Sequence, residues 1–440
     1  METIQIHALG SLGEGVGELN GYTLFVEGAL PGETATIEVI ERNSRFGIGK
    51  LKEILLPSSD RIDPICPYFG SCGGCQLMHL SYPKQLQAKT QRVIDALKRI
   101  GKLDLSVLPC LPSPKKFQYR NKIQLPVQKK GNFLSLGLYK RSSHELVPIE
   151  KCHIHTELGD QIYQKIKPLI EASKIDHLRH ILIKSSGHFG EALVVLVTSK
   201  KEDPQLHDLA EQILKKEPFV KGVIQNLHRG PENVILGSFY RPLAGEGSIR
   251  EKICGLFFRV SPASFFQVNV SQAEALYLKA LEWGELTGKE KILDAYCGVG
   301  TLSLIFAPHV KEVFGIESVP QAIVDAKENA KMNGLNNVHF ICGKVEDELT
   351  KHSPFDLILI NPPRKGCSPE VLKSLRKITP EKLLYISCDP ATLARDLKEL
   401  CQSGYHVEKV QPFDMFPQTA HVETVVLLTK FAKTLEPLHN

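Results

Sequence analysis

Residues 291–307 read KILDAYCGVGTLSLIFA. An apolar run ending at Ala295 meets a turn containing Gly298 and Gly300, and Thr301 opens a helix-like run. A buried strand feeding through glycines into a helix is a ligand-binding entry, because glycine lets the backbone close on a ligand at a helix N-terminus. The third glycine of a dinucleotide fingerprint would fall at Ser303, which disfavours a nicotinamide cofactor and its oxidoreductase chemistry. Outward from this turn, strand-like and helix-like runs alternate: EVFGIES, AIVDAKENAKMNG, VHFICG, DLILINPP, LLYISCDP and TVVLLTK. From about residue 263 the pattern predicts a doubly wound α/β sheet.

The strand ends carry the candidate chemistry. Glu317, 23 residues after Asp294, is placed to accept both ribose hydroxyls of an adenosine. Together with the turn and Asn361-Pro362-Pro363-Arg364, it fits S-adenosylmethionine best. Ile386-Ser387-Cys388-Asp389-Pro390 ends the following strand, with Asp389 as helix N-cap and Pro390 as first helical residue. Cys388 then lies beside a helix N-terminus, where the dipole is expected to favour thiolate. A thiolate adding at C6 of a uracil makes C5 nucleophilic, and a nearby carboxylate must later remove the C5 proton. Glu423, in His421-Val-Glu423, precedes the last strand at the same sheet edge, with His421 as rival base.

Ahead of this region the chain is of a different kind. Residues 1–56 alternate apolar and polar positions in short runs broken by turns at Gly13, Gly15, Gly17 and Pro31-Gly32, predicting a small β-barrel. Residues 58–262 are mixed, with a helix near 83–100. Cys66, Cys72 and Cys75 fall within ten residues in CPYFGSCGGCQLMH, a metal-ligand spacing. By composition the fourth ligand is Cys110, Cys152, His79 or His153, and zinc and an iron–sulfur cubane both stay open. Eleven cysteines in a chain with no signal-peptide start and no long apolar run point to thiol chemistry or metal binding in the cytoplasm. The formal charge is only +5, but residues 84–151 carry 15 Lys and Arg against 4 Asp and Glu, which suggests a polyanion contact. No membrane and no stable protein partner are implied.

With these motifs in place, the chain resembles the bacterial 23S rRNA (uracil-5-)-methyltransferase family, over nearly its whole length. The resemblance implies a Rossmann-like class I methyltransferase domain at 263–440, an OB-like β-barrel (TRAM) at 1–57, and a central α+β iron–sulfur and RNA-binding domain at 58–262. It implies Cys388 as nucleophile and Glu423 as base. In Phe265-Phe-Gln267-Val-Asn269 it implies stacking of Phe265 on the displaced uracil and contact of Gln267 with the cofactor, with Tyr296, Glu317 and Asn361 completing that site. It also implies a [4Fe–4S] cluster, rather than zinc, on Cys66, Cys72, Cys75 and Cys152. Ribosomal RNA is favoured over transfer RNA because members acting on transfer RNA typically lack both barrel and cluster. Arg120, Lys122, Lys140 and Arg141 are then expected to grip phosphate. The chain departs from the pattern at Asn361, where many members have Asp, and at Lys344, where a polar or acidic residue commonly holds the adenine. A non-catalytic RNA-binding assembly factor is the alternative of another class, and such a protein has no use for Glu423.

Overall fold

In a computed structural model describing residues 1–131, 133–230 and 234–430, the short runs at the front close on themselves. The expected 263–440 domain thus has its last ten residues outside the description. Strands β1 (Glu2–Leu9), β2 (Gly15–Leu19), β3 (Tyr22–Val26), β4 (Thr34–Arg42) and β5 (Phe46–Leu56) form a closed barrel in the order β1-β2-β3-β5-β4. Alternation turns Ile4, Ile6, Leu24, Val26, Ala35 and Ile37 inward and their polar neighbours outward. A side chain at Gly17 would meet the Gln5 carbonyl oxygen at 2.6 Å, so glycine is what lets these strands close.

Helix α1 (Tyr82–Ala96) continues into a π turn over Leu97–Gly101. It belongs to the carboxyl-terminal core rather than to the central sheet that follows it in sequence. Val93 and Leu97 are buried in that core, and Gln85 Nε2 donates to the Leu77 and Leu80 carbonyls and to Gln418 Oε1. Lys89 pairs with Asp414, both side chains fully buried. The chain beyond the helix runs along the same core, with the Leu108 and Leu111 amides donating to the Val410 and Pro412 carbonyls.

The central sheet comprises β6 (Lys122–Lys130), β7 (Phe133–Tyr139), β8 (Leu146–Pro148), β9 (Leu178–Ser186), β10 (Glu191–Thr198), β11 (Val220–Leu227) and β12 (Phe239–Gly245), in the order β12-β11-β10-β9-β6-β7-β8. Helices α2 (Glu157–Ala172) and α3 (Pro204–Lys216) bury Ile162, Ile166, Leu209 and Ile213 in its core. The continuous apolar run of β10 reflects a strand covered on both faces. Leu193, Val195 and Val197 face Ile249 and Val260, which belong to a hairpin of β13 (Ile249–Ile253) and β14 (Leu256–Val260).

The last sheet follows α4 (Val270–Gly284). Its strands are β15 (Lys291–Ala295), β16 (Glu312–Glu317), β17 (Val338–Cys342), β18 (Leu357–Ile360), β19 (Lys382–Ser387), β20 (Tyr405–Phe413) and β21 (Glu423–Lys430), alternating with α5 (Thr301–Phe306), α6 (Pro320–Met332), α7 (Val345–Glu348), α8 (Pro369–Ile378) and α9 (Pro390–Cys401). The order is β17-β16-β15-β18-β19-β21-β20, with only β21 antiparallel to its neighbours. Between β15 and β18 the chain reverses its direction of winding, and ligands bind outside the carboxyl ends of strands at such a switch point. Tyr296, Glu317, Asn361 and Cys388 all stand at those ends.

Candidate active site

Backbone conformation shapes one half of the site. Tyr296, Gly298 and Gly300 have φ of 69°, 55° and 82°, three left-handed residues in a five-residue turn. A tyrosine held there costs on the order of 1 kcal/mol or more, a strain that persists only where surrounding structure enforces it. A side chain at Gly300 would meet the Phe340 ring at 2.7 Å, whereas space above Gly298 is open. Beneath the turn, Asp294 Oδ2 accepts from the Ser303 amide at 2.9 Å and its hydroxyl at 2.6 Å. The residue that breaks the dinucleotide fingerprint is thus the anchor of this turn. Burial pushes the Asp294 carboxyl up to about 7. Glu317 Oε2 accepts from the Gly298 amide at 3.2 Å and Oε1 from the Val319 amide at 2.8 Å, so a half-buried carboxylate faces the turn. Asn361 is half-buried beside it, its amide 3.4 Å from the Ala295 carbonyl.

The other half is built by strand register. Ser387 of β19 pairs with Thr424 of β21, so one step further Cys388 and Glu423 are neighbours across the ladder. Glu423 is buried, and burial pushes its carboxyl up to about 8, opposed by the charge of Arg364. The surroundings of Cys388 oppose the expected thiolate. Burial raises the thiol to about 11, the Glu423 charge adds to the rise, and Arg364 opposes it. The helix N-terminus does little to offset this, because Asp389 Oδ1 already takes the Ala391 and Thr392 amides, each at 2.9 Å, and the Asp389 charge adds to the rise. His421 is driven down to about 4 by burial and by Arg364 and Arg92, which leaves a weak base at neutral pH.

Arg364 was not singled out by sequence reasoning. Its signal was the Pro362-Pro363 pair, which fixes the chain direction after β18 and carries a cation toward both titrating groups.

Arg364, His421, Gln267 and Phe265 share a cavity of about 440 Å³ with Arg120, Lys122 and all four expected metal cysteines, Cys66, Cys72, Cys75 and Cys152. Phe265 is 68 % exposed, its ring free for a stacking partner. Asn269, by contrast, is a structural residue, capping α4 and donating to Ser113 Oγ and the Met415 carbonyl. The basic stretch is less available than its composition suggests. Arg120 Nε donates to the Lys122 carbonyl at 2.9 Å, and burial with the Arg120 charge lowers the Lys122 ammonium. Arg141 pairs with Glu14 and Glu27 of the barrel at 3.0 and 3.3 Å, and Lys140 with Glu145 at 3.4 Å.

Of the four open choices for a fourth ligand, Cys152 and His153 line the cavity with the three clustered cysteines. Cys110 is buried in the carboxyl-terminal core, and His79 stacks on Phe69 with ring centroids 5.0 Å apart. The cysteines are all free thiols; burial, with the charges of their neighbours, raises Cys72, Cys75 and Cys152. Among the described residues no group of three or more His, Cys, Asp or Glu side chains is arranged to hold a metal ion. His155, fully buried on the same cavity wall, completes no hydrogen bond with either ring nitrogen. No helix among the described residues is long and apolar enough to cross a membrane.

Comparison with known proteins bears on this geometry. Residues 343–431 match the tRNA (uracil-5-)-methyltransferase family and residues 2–52 match the TRAM domain. An RNA methyltransferase of Clostridium acetobutylicum is 42% identical over 98% of this chain and 97% of its own, and one of Halalkalibacterium halodurans is 40% identical over 94% of each. The crystal structure of Pyrococcus abyssi tRNA (uracil-54, C5)-methyltransferase in complex with S-adenosyl-L-homocysteine aligns with a TM-score of 0.79 at 29% identity, over 97% of this chain and 100% of that one.

Proposed function

Because the chain belongs to the family of uracil-5 RNA methyltransferases that carry a TRAM barrel, we propose that it methylates C5 of a uridine in 23S ribosomal RNA through a covalent adduct on Cys388. The observation that carries this reading is the adjacency of Cys388 and Glu423 at the sheet edge that also holds the cofactor turn. S-adenosylmethionine, when bound, supplies an electrophilic methyl on a sulfonium. Glu317 would accept the ribose hydroxyls, and Tyr296, Gln267 and Asn361 would hold the remainder of the cofactor. The uridine leaves its stack to reach this depth and rests on Phe265.

Cys388, its thiol proton passed to solvent, then adds through sulfur to C6, and the C5–C6 π electrons move onto O4 as an enolate. The enolate's electron pair returns to make the C5–methyl bond as the methyl–sulfonium bond breaks, so that S-adenosylhomocysteine is the leaving group. Glu423, as carboxylate, removes the C5 proton, and those electrons re-form the C5–C6 bond as the sulfur–C6 bond breaks. Arg364 favours the ionised states of both residues, so its positive charge supports thiolate formation and proton removal alike.

Cys66, Cys72, Cys75 and Cys152 would hold a [4Fe–4S] cluster. The four free thiols line one cavity, and four cysteines meet the ligand count of a cubane as they do that of zinc, the family resemblance favouring the cubane. The cluster would supply structure or RNA docking, since methyl transfer consumes no electron. Incubating the protein with 5-fluorouracil-containing ribosomal RNA fragments and S-adenosylmethionine should give a complex that survives a denaturing gel. Its absence with wild type would overturn the mechanism.

Transfer RNA is the second reading. It is favoured by the Pyrococcus abyssi tRNA (uracil-54, C5)-methyltransferase structure, which matches 97% of this chain. Methyl incorporation into purified transfer RNA and into 23S fragments, compared side by side, decides between them. A non-catalytic assembly factor would label neither.

A further inference from the structure

The segment that carries Phe265 and Gln267 joins the hairpin β13–β14 to α4 and is held at both ends by buried polar groups from different parts of the molecule. At its start, Lys184 of β9 donates to the Ser261 and Ser264 carbonyls, each at 2.8 Å. The hydroxyls of the same two serines bond each other at 2.6 Å and converge on Asp325 Oδ2 of α6, Ser261 at 2.8 Å. Gln321 donates to the other oxygen of Asp325. Lys184 and Asp325 are 6 % and 1 % exposed. At the far end, the Asn121 amide donates to the Val268 carbonyl at 2.9 Å and its side chain to the Gln267 carbonyl at 3.2 Å. The Asn121 carbonyl accepts in turn from Ser185, the residue after Lys184. Phe265 and Phe266 lie between these two clamps.

We propose that Lys184 is a positioning residue, which with Asp325 fixes the Ser261–Ser264 turn so that Phe265 is presented to the displaced base. A lone buried ammonium is costly, and chain folding keeps one here only with its donors satisfied. Burial and the nearby Lys122 charge lower Lys184 to about 7, with Asp325 opposing, so the serine carbonyls and Asp325 hold an ammonium that its surroundings otherwise resist. Asp325 lies in the second turn of α6, the helix that starts just after Glu317. The network therefore ties the ribose-binding edge of the catalytic sheet and the central sheet to one base-presenting turn.

This inference rests on reading Phe265 as the base platform, and a double-mutant cycle separates the two. The rate of covalent complex formation with 5-fluorouracil-containing RNA is measured for Lys184→Met, Phe265→Ala and the double variant, with S-adenosylhomocysteine affinity measured by calorimetry. Phe265→Ala should slow the adduct roughly 10- to 100-fold, as loss of one stacking partner does. Lys184→Met should slow it by about 10-fold while S-adenosylhomocysteine affinity stays within about twofold, and the double variant should be no slower than Phe265→Ala alone. Asp325→Asn, which keeps the side-chain shape, should show the same non-additivity and serves if Lys184→Met does not fold. If the losses multiply for both variants, the positioning role is overturned. If Phe265→Ala leaves the rate unchanged, the platform reading falls and the proposal falls with it.

Discussion

The carboxylate of Glu423 opposes ionisation of the Cys388 thiol, and burial makes each group hold its proton more tightly than usual. The proposed mechanism asks both neighbours to be anions in one desolvated corner beside the Arg364 guanidinium. Replacing Glu423 by Gln removes the opposing charge together with the proposed base. The expected outcome is that Glu423→Gln forms the adduct on ordinary uridine RNA at least as readily as wild type but releases methylated product about 100-fold or more slowly. A stable protein–RNA band with unmodified uridine substrate, absent for wild type and for Cys388→Ala, is the measurement.

The pH dependence follows with its sign. On the proposed mechanism Glu423 takes the C5 proton as a carboxylate, so turnover should rise as pH increases through about 8 and lose this dependence in Glu423→Gln. Stability moves the other way. Glu423 and Asp294 have folded values near 8 and 7, above their ordinary 4.5 and 3.8. The stabilisation from their protons is complete below those ordinary values and is lost as pH rises through 7 to 8. Denaturant unfolding between pH 5 and 9 should show that decline, and a flatter one in the Asp294→Asn variant.

Much of this was readable from residue order, for identifiable reasons. Strand ends are marked by Asp294, Glu317, Asn361 and Cys388 because each stands at or near the close of a largely apolar run, and the Asp389-Pro390 cap announces its helix without tertiary help. What failed to show was whatever depends on a partner distant in sequence. The thiolate at Cys388 is expected from its place beside a helix N-terminus, but tertiary burial and the charge of Glu423, from another strand, push the thiol up. Arg141 was counted among RNA-facing cations, yet it is held by Glu14 and Glu27, more than a hundred residues away. The attachment of α1 to the carboxyl-terminal core depends on Asp414 and Gln418, over 300 residues downstream, and no local pattern in residues 82–96 encodes it.

That attachment can be tested. Lys89→Met leaves the Asp414 carboxylate buried with no cation, and breaking such a pair costs about 3–5 kcal/mol. Thermal unfolding should show the loss, and a Lys89→Met/Asp414→Leu double variant should regain most of it, because the uncompensated charge is gone.

Glu317 offers a test of the cofactor half that is independent of RNA. Its carboxylate is already oriented by the Gly298 and Val319 amides, so on the proposed reading little ordering remains for it to accept two ribose hydroxyls. Glu317→Ala removes both acceptors and should weaken S-adenosylhomocysteine binding by about 10- to 100-fold in calorimetry, at roughly 1–3 kcal/mol for charged hydrogen bonds. Melting temperature in the absence of ligand should change little, since the side chain is only half-buried.

The cysteine cavity distinguishes a cubane from a single ion by stoichiometry. Protein purified without oxygen should carry about four iron and four sulfide per chain and absorb broadly in the visible, whereas a zinc site would carry about one colourless ion. Cys152→Ser should lose that iron, because its thiol shares the cavity with Cys66, Cys72 and Cys75. Cys110→Ser should retain it, because that thiol is buried in the carboxyl-terminal core, where it donates to the Leu111 carbonyl. The same cavity is walled by Phe265, Gln267 and Arg364, so loss of the proposed cluster should disturb the wall proposed to hold the base before it disturbs the Glu317 side. The Cys152→Ser variant is therefore expected to bind S-adenosylhomocysteine as wild type does while forming the 5-fluorouracil adduct more slowly. Equal weakening of both would instead place the cysteines in service of the whole fold.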